Sequence, residues 1–537
     1  MASTESLKKL RSVITENLRV QRSGAQAIPY IDVTNALDDA QARQNHVVFG
    51  RRGCGKTLLL QNAANLSATD RKTIYLNCED FKNHSFPNVL IEILDAVFSE
   101  MQKHLTGWFG KKKQSRQLIA EIRTHLTNLQ KQDDERTERV TEKESTGSSV
   151  GVKGGINAEG SSQHAVTVGR KEMGIEASNL SKLGSTFSLS GEYAQNRARA
   201  IERAYERADS KVRDLNSLLP KLKARLRDFF ELSTNIKVLF IQIDDFYHLQ
   251  REHQPFVMDY VHRLCKDLPI YFKVATLRHA SVLYAERNNQ PVGAQERHDY
   301  QPINIDFTFQ DFLKTEQQVS QIFHEFAKLA GMAAEDFDGV FKGDGFRRLV
   351  LAGGGVPRDC LSLFLEALGP VMSQGARIGK DDVRQLSFSN FERKIEDLKR
   401  DSQTDEQGVL LKGIYVIRQF CLDSKTSVFF VPDRLLQELE PARELIFRLL
   451  DYRIIHSVGS AFTHKAHPGS YQGFMIDIGC YAHMRKLEGK MNEIDLAAKG
   501  AKEQMRSVPI MSQELLQRLW ETAPAQITKE DLVTVAD

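Results

Sequence analysis

The chain has 537 residues, 41% of them hydrophobic and 27% charged, with a formal net charge of only +3. That balance suits a soluble globular protein of about two to four domains, and it excludes a global basic field, so any nucleic-acid contact has to come from a local patch. The six cysteines form no C-x-x-C pair, which argues against a disulfide framework or a zinc site. No signal peptide or membrane-length apolar run is read, so a cytoplasmic protein is expected.

Residues 5–22 predict an amphipathic helix with Leu7, Leu10, Val13, Ile14 and Leu18 on one side, in an N-terminal segment covering 1–27. Residues 28–32 precede the first strand and are candidates either to contact a nucleotide base or simply to pack. That strand leads into His46-Val-Val-Phe-Gly-Arg-Arg-Gly-Cys-Gly-Lys-Thr57 and then Leu58-Leu59-Leu60. Gly50, Gly55, Lys56 and Thr57 satisfy the phosphate-loop pattern G-x-x-x-x-G-K-[ST], with a strand before it and a helix after it. Glycines let successive backbone N–H groups converge on a β-phosphate, where a side chain would block approach. Lys56 can reach the β- and γ-phosphates, Thr57 offers a hydroxyl to Mg²⁺, and the helix start adds its positive dipole end. Gly50, Arg51, Arg52, Gly53, Cys54, Gly55, Lys56, Thr57 and Leu58 are the candidate nucleotide-binding residues, with ATP and Mg²⁺ as cofactors. Cys54 reads as a tolerated small residue rather than a redox switch.

A second strand is predicted at 72–78, with Glu79 and Asp80 at its exit, and a helix over 86–101. A compact phosphate-loop domain would bring its acidic strand within a few tens of residues. Here an insertion over 111–230 intervenes, dividing a core of 28–110 and 231–309. The flanks of the insertion show helical spacing (Leu118, Ile122, Leu126, Leu129; Ala204, Ala208, Val212, Leu215), and 145–192 is rich in Gly and Ser. The expectation is a long helical hairpin whose tip is disordered or a small ribbon, with weak strands at 165–168 and 186–190. Two uses stay open for it: a flexible surface insertion, or an arm that meets a partner, nucleic acid or a membrane.

The acidic strand is Lys237-Val-Leu-Phe-Ile-Gln-Ile-Asp-Asp-Phe246. Asp244 is the candidate metal ligand beside Thr57, and Asp245 the candidate to orient the attacking water. A fourth strand at 269–276 ends in Thr276, followed by Leu277-Arg278-His279, and a fifth is read at 303–307. Five strands alternating with helices predict an α/β fold, a three-layer P-loop NTPase with a parallel sheet and its ligand at the carboxyl strand ends.

Residues 310–374 read as helical and contain Gly353-Gly354-Gly355, then Pro357-Arg358-Asp359 at a helix start. This resembles the sensor 2 motif in the lid of AAA+ ATPases, nearest to the origin-recognition-complex branch and its bacterial relatives. The resemblance implies a helical lid over 310–400, an Arg358 that contacts the γ-phosphate, and a sensor 1 residue at Thr276. The other reading of Arg358 is an ordinary helix-start ion pair with Asp359 or a neighbour. AAA+ chains usually carry Asp-Glu where this chain has Asp244-Asp245. The aspartate pair resembles instead the STAND class of ATPases, which use nucleotide mainly as a slow switch. Arg278 either stabilises transition-state charge, as an arginine finger does, or anchors a loop. Lys56, Asp244, Asp245, Thr276, Arg278 and Arg358 form the candidate catalytic set.

Residues 401–490 resemble a C-terminal winged helix. Helices are read at 408–420, after Val431-Pro432-Asp433, and at 442–451, with a hairpin of 452–456 and 473–478 around a wing. In the origin-recognition family such a domain binds duplex DNA, which makes Arg443, Arg448, His464 and Lys465 candidate phosphate contacts. The third helix also carries Glu444 and a large apolar share, and winged helices often mediate protein contacts. Residues 491–537 are expected to form a helical tail. The expected function is an ATP-dependent switch that forms a homo-oligomer on ATP binding and acts on double-stranded DNA. Its rival is a STAND-like sensor working through a protein trigger or effector, for example in bacterial antiviral defence.

Overall fold

The computed structural model describes residues 3–18, 29–32, 34–65, 70–81, 84, 86–105, 110–147, 211–233, 235–287, 290–402, 404–484 and 491–532. They divide into two compact units. One holds the described residues up to 81 and from 235 onward; the other holds those from 84 to 233. Residues 19–22 of the predicted N-terminal helix, Ile28, and residues 148–192 of the Gly/Ser-rich tip, with the strands read at 165–168 and 186–190, lie outside the described residues.

In the first unit the strands are β1 (His46–Phe49), β2 (Arg71–Asn77), β3 (Val238–Asp244), β4 (Ile270–Thr276), β5 (Tyr284–Arg287), β6 (Gln290–Gly293) and β7 (Gln301–Asn304). Five of them make a sheet in the order β2-β3-β4-β1-β7, parallel throughout. Every residue of β1 and β3 is buried, so both faces are covered. That explains their near-continuous apolar composition and gives the expected three-layer α/β architecture. Ala36 and Ala40 of the helix Ala36–Gln41, with Leu59, Leu60 and Ala63 of the helix Lys56–Asn65, pack on Val48, Ala275 and Ile303. Gln242 ties β3 to that second helix by donating to the Leu60 carbonyl at 2.8 Å.

Around this sheet the strands depart from the sequence reading at the last sheet strand and at an extra pair. The last sheet strand covers 301–304 rather than 303–307, because Asp306 leaves the strand to pair with Arg51. The antiparallel pair β5–β6 was not anticipated; it is short and carries Pro291, so its pattern is weak.

The region expected to form a lid contains the helices Phe312–Leu329, Ala334–Asp338, Gly345–Ala352, Pro357–Gln374 and Lys380–Asp401. Phe323, Phe337, Phe341, Phe346 and Phe364 pack together at its centre, mostly edge to face. The N-terminal helix Thr4–Asn17, capped by Ser3, packs on the first and fourth of these helices and buries Leu7, Leu10 and Ile14. Beyond the lid come the helix Thr404–Asp423, β8 (Val428–Pro432), helices Asp433–Glu438 and Glu440–Asp451, β9 (Ile455–Phe462) and β10 (Tyr471–Ile476). The last three strands form an antiparallel sheet in the order β8-β10-β9. Residues 491–500 are irregular, and the chain near Pro509 and Met511 bonds to Phe430 along the outer edge of β8.

The second unit contains the helices Asn88–His104 and Gly110–Gly147 and a helix over 211–232. Arg123 grips Asp95 through two bonds (2.7 and 3.1 Å), and Gln130 donates to Glu92 at 2.7 Å. These ties and buried apolar faces (Leu94, Val97, Phe98; Leu126, Leu129; Leu222, Leu226) group the helix Asn88–His104 with the insertion rather than with the core.

Candidate functional site

β1 ends at Phe49 and the chain turns at once through residues 50–55 into the helix Lys56–Asn65. Gly53 has φ of +92°, a conformation costly for any residue with a Cβ. It is also crowded: a Cβ there would lie 3.0 Å from both Cβ and Nε of Arg358. Lys56 is buried and folds its ammonium back on the loop, donating to the carbonyls of Gly50 (2.9 Å) and Arg51 (3.3 Å). Among residues 28–32, the Tyr30 ring approaches Gly55, and its N–H reaches Asn62 Oδ1 at 3.2 Å. Asp32 instead accepts from the N–H groups of Ala36 and Leu37 at the start of their helix.

β3 carries Asp244 to the same edge of the sheet. This carboxylate is fully buried, accepts from the Tyr75 hydroxyl at 2.6 Å, and is hydrogen-bonded by Thr57. Burial and then Asp245 push its pKa up, against the opposing pull of Tyr75, Thr57 and Lys56. A divalent cation relieves that electrostatic situation, and a hydroxyl beside a carboxylate is a hard oxygen set of the kind Mg²⁺ takes. Asp245 is left-handed (φ 51°, ψ 41°), and its N–H donates to Asp244 Oδ1 at 2.9 Å. Strand order explains Thr276. β4 lies between β3 and β1, and Thr276 is in register with Phe49, so its buried hydroxyl, bonded to Ser281, ends a strand between the loop and Asp244.

The start of the helix Pro357–Gln374 meets the loop. The Arg358 N–H points at the Gly53 carbonyl at 3.4 Å, and among the described residues no carboxylate forms an ion pair with its half-buried guanidinium. Burial, then Arg453, lower its pKa. Asp359, the alternative partner expected for it, is held by Arg453 at 2.7 and 2.8 Å; Arg453 also reaches Asp397 at 2.8 Å. Arg278 donates to Glu296 (2.9 and 3.1 Å) and lies over the Phe49 ring, 4.3 Å from its centroid.

The loop arginines take partners that no local sequence pattern marks. Arg51 donates to Asp306 at 2.7–3.0 Å through Nε and Nη2, and its Nη1 lies 3.0 Å from His456 Nδ1. Burial opposes the Arg51 charge, but Asp306 outweighs it and holds the guanidinium above its ordinary range. Arg52 pairs with Asp401 and, at 4.0 Å, with Asp397. His456 continues to Asp477, which Lys394 meets in turn. Cys54 stays a protonated thiol, pushed up by burial and by Asp306. A second cluster was also missed: donor atoms of Glu79, Asp245 and His248 all lie within 4.8 Å of one another.

No family model matches the chain, and no curated protein matches it by sequence. Among solved structures it is similar to the Drosophila ORC bound to DNA, at 11% identity and a TM-score of 0.33, over 89% of this chain and 91% of that one. It is likewise similar to the Aeropyrum pernix ORC1 protein in complex with DNA, at 12% identity and a TM-score of 0.30, over 93% of each chain. At scores this low, what those proteins bind is a property of those proteins.

Proposed function

We propose that the chain is a Mg²⁺-dependent, ATP-hydrolysing switch of the AAA+ kind. The observation that carries this reading is the meeting of Lys56, Thr57 and Asp244, from segments far apart in sequence, at one sheet edge. In this reading residues 50–55 and Lys56 hold the β- and γ-phosphates, Thr57 and Asp244 hold Mg²⁺, and Thr276 and Arg358 respond to the γ-phosphate. Bound Mg²⁺ supplies charge neutralisation at the phosphates. An anion against Gly53 gives the unpaired-for Arg358 cation a partner and tightens the lid on the loop. Because Arg51 and Arg52 tie that loop to His456, Asp397 and Asp401, the movement reaches the C-terminal module.

The element order of that module (helix, strand, two helices, two-stranded hairpin) supports reading it as a winged helix. In this reading double-stranded DNA is its partner and ATP drives assembly into a homo-oligomer. One observation favours the second reading, a STAND-like sensor that works through proteins. Arg448, in the helix Glu440–Asp451, is buried on Glu406 at 2.6 Å, and Lys465, between the hairpin strands, faces Glu503 at 3.1 Å, which lowers the positive potential of the module.

The test is steady-state ATP hydrolysis by wild type and Lys56→Ala, with and without duplex DNA, over a range of salt. Loss of hydrolysis in Lys56→Ala is expected, and equal rates in both proteins refute the site. Stimulation by DNA that falls steeply with salt supports the first reading. ATP-driven assembly indifferent to DNA supports the second.

A further inference from the structure

β2 and β3 are parallel neighbours, with Asn77 in register with Asp244. The residues just beyond their ends therefore emerge side by side. β2 runs out into a short 3-10 turn, Cys78–Phe81, that carries Glu79; β3 runs out through Asp245 into another, Phe246–His248. Asp245, where the second turn begins, has a left-handed backbone, and the ligand atoms of Glu79, Asp245 and His248 lie within 4.8 Å of one another.

Three facts give the cluster chemical content. It is mixed: two carboxylates and an imidazole, all proton acceptors when unprotonated. It adjoins Asp244, which belongs to the phosphate and metal set. Asn77, almost wholly buried at the end of β2, accepts from the Glu79 N–H at 3.2 Å through Oδ1, and its Nδ2 is a buried donor with no hydrogen-bond partner among the described residues. A buried amide left half-satisfied beside a carboxylate cluster is a position that a polar ligand completes.

We propose that Glu79 is the carboxylate that orients and deprotonates the attacking water of ATP hydrolysis, with Asp245 and His248 completing the acceptor set. This rests on the ATPase reading above. The aspartate at 245 is one methylene shorter than glutamate and is half-buried, whereas Glu79 is longer, exposed and carried just beyond the end of the adjacent strand. In the step, an O–H bond of water breaks as its oxygen bonds to the γ-phosphorus. The bond from that phosphorus to the β–γ bridging oxygen breaks and ADP leaves. The water proton passes to Glu79 and then to solvent, so water and ATP give ADP and phosphate with nothing else consumed.

The experiment compares wild type, Glu79→Gln, Asp245→Asn and Lys56→Ala as full-length chains, measuring Mg-ATP affinity, kcat and Tm for each. Glu79→Gln is expected to lower kcat by about 10²- to 10³-fold while leaving ATP affinity within about 3-fold and Tm unchanged. Glu79→Asp should recover part of the rate, which a merely structural role does not predict. Wild-type kcat in Glu79→Gln, with activity lost in Lys56→Ala and Asp245→Asn, overturns the assignment to Glu79 and leaves the ATPase reading standing. Absence of hydrolysis in wild type itself, or its survival in Lys56→Ala, overturns both.

Discussion

Arg51 Nη1 lies 3.0 Å from Nδ1 of His456, a residue 405 positions further along the chain. A guanidinium can only donate, so Nδ1 is the accepting nitrogen and the imidazole proton sits on Nε2, which donates to Asp477 at 3.0 Å. Lys394 pairs with the same carboxylate, and the Gly479 N–H bonds its other oxygen at 2.9 Å. A loop of phosphate-binding type is thereby joined to the lid and to the C-terminal hairpin through buried polar groups.

Removing one member of this chain strands the others. His456→Ala is expected to destabilise the first unit by about 3 kcal/mol, measured by urea denaturation, because Arg51 and Asp477 lose a partner in a dry setting. In Arg51→Ala/His456→Ala the losses should be less than additive by about 1 kcal/mol or more. Additive losses would show that the two groups do not couple.

Gly354 makes room for the same ring. Its φ is +63°, and a Cβ there would lie 2.3 Å from His456 Cε1. Gly354→Ala is expected to cost about 2–4 kcal/mol from strain and overlap, and adding His456→Ala should return part of that. Full tolerance of Gly354→Ala in thermal unfolding would place the ring elsewhere.

Acid sensitivity follows from the buried imidazoles. Burial brings the pKa of His456 down to about 4, and burial with Lys273 does the same for His46. The ordinary value of 6.5 applies once the chain unfolds. Between those values the unfolded state binds more protons, so stability is complete above about pH 6.5 and is lost as pH falls toward about 4. His456→Gln should flatten the pH dependence of Tm in that window, and an unchanged slope would contradict the neutral, buried assignment.

The basic residues of the C-terminal module should separate into two kinds. Arg448, buried on Glu406, is structural, and Arg448→Ala is expected to cost about 3–5 kcal/mol. Lys465 is half exposed beside Glu503, and Lys465→Ala should change stability by less than about 0.5 kcal/mol. If the module holds duplex DNA through the wing, that variant also lowers the slope of log affinity against log salt by about one. An unchanged slope counts against a DNA contact at Lys465.

What the sequence disclosed was local chemistry. The phosphate loop is a spacing of glycines, lysine and threonine, and β3 is an unbroken apolar run ending in two acids, so each is readable within a dozen residues. β8 was missed because Val428-Phe-Phe-Val is buried on all sides and shows no alternation that separates a strand from a core helix. The partners of the loop arginines were invisible for a different reason. Asp306, Asp397, Asp401 and His456 look like any polar residue until the fold brings them within 4 Å. Arg448 shows the same limit in reverse: a cation on an amphipathic helix reads as a surface contact, and here it is buried. Glu79 was visible at a strand exit, but its place beside Asp245 depends on β2 pairing with β3, which only the sheet order settles.

The account stands on Lys56 and Asp244 serving one ligand, and titration calorimetry of Mg-ATP into wild type, Lys56→Ala and Asp244→Asn tests this most directly. Saturable binding by wild type, at least about 100-fold weaker in Lys56→Ala and dependent on Mg²⁺ only while Asp244 is present, is the predicted result. Equal affinity in all three proteins, with or without Mg²⁺, would contradict it.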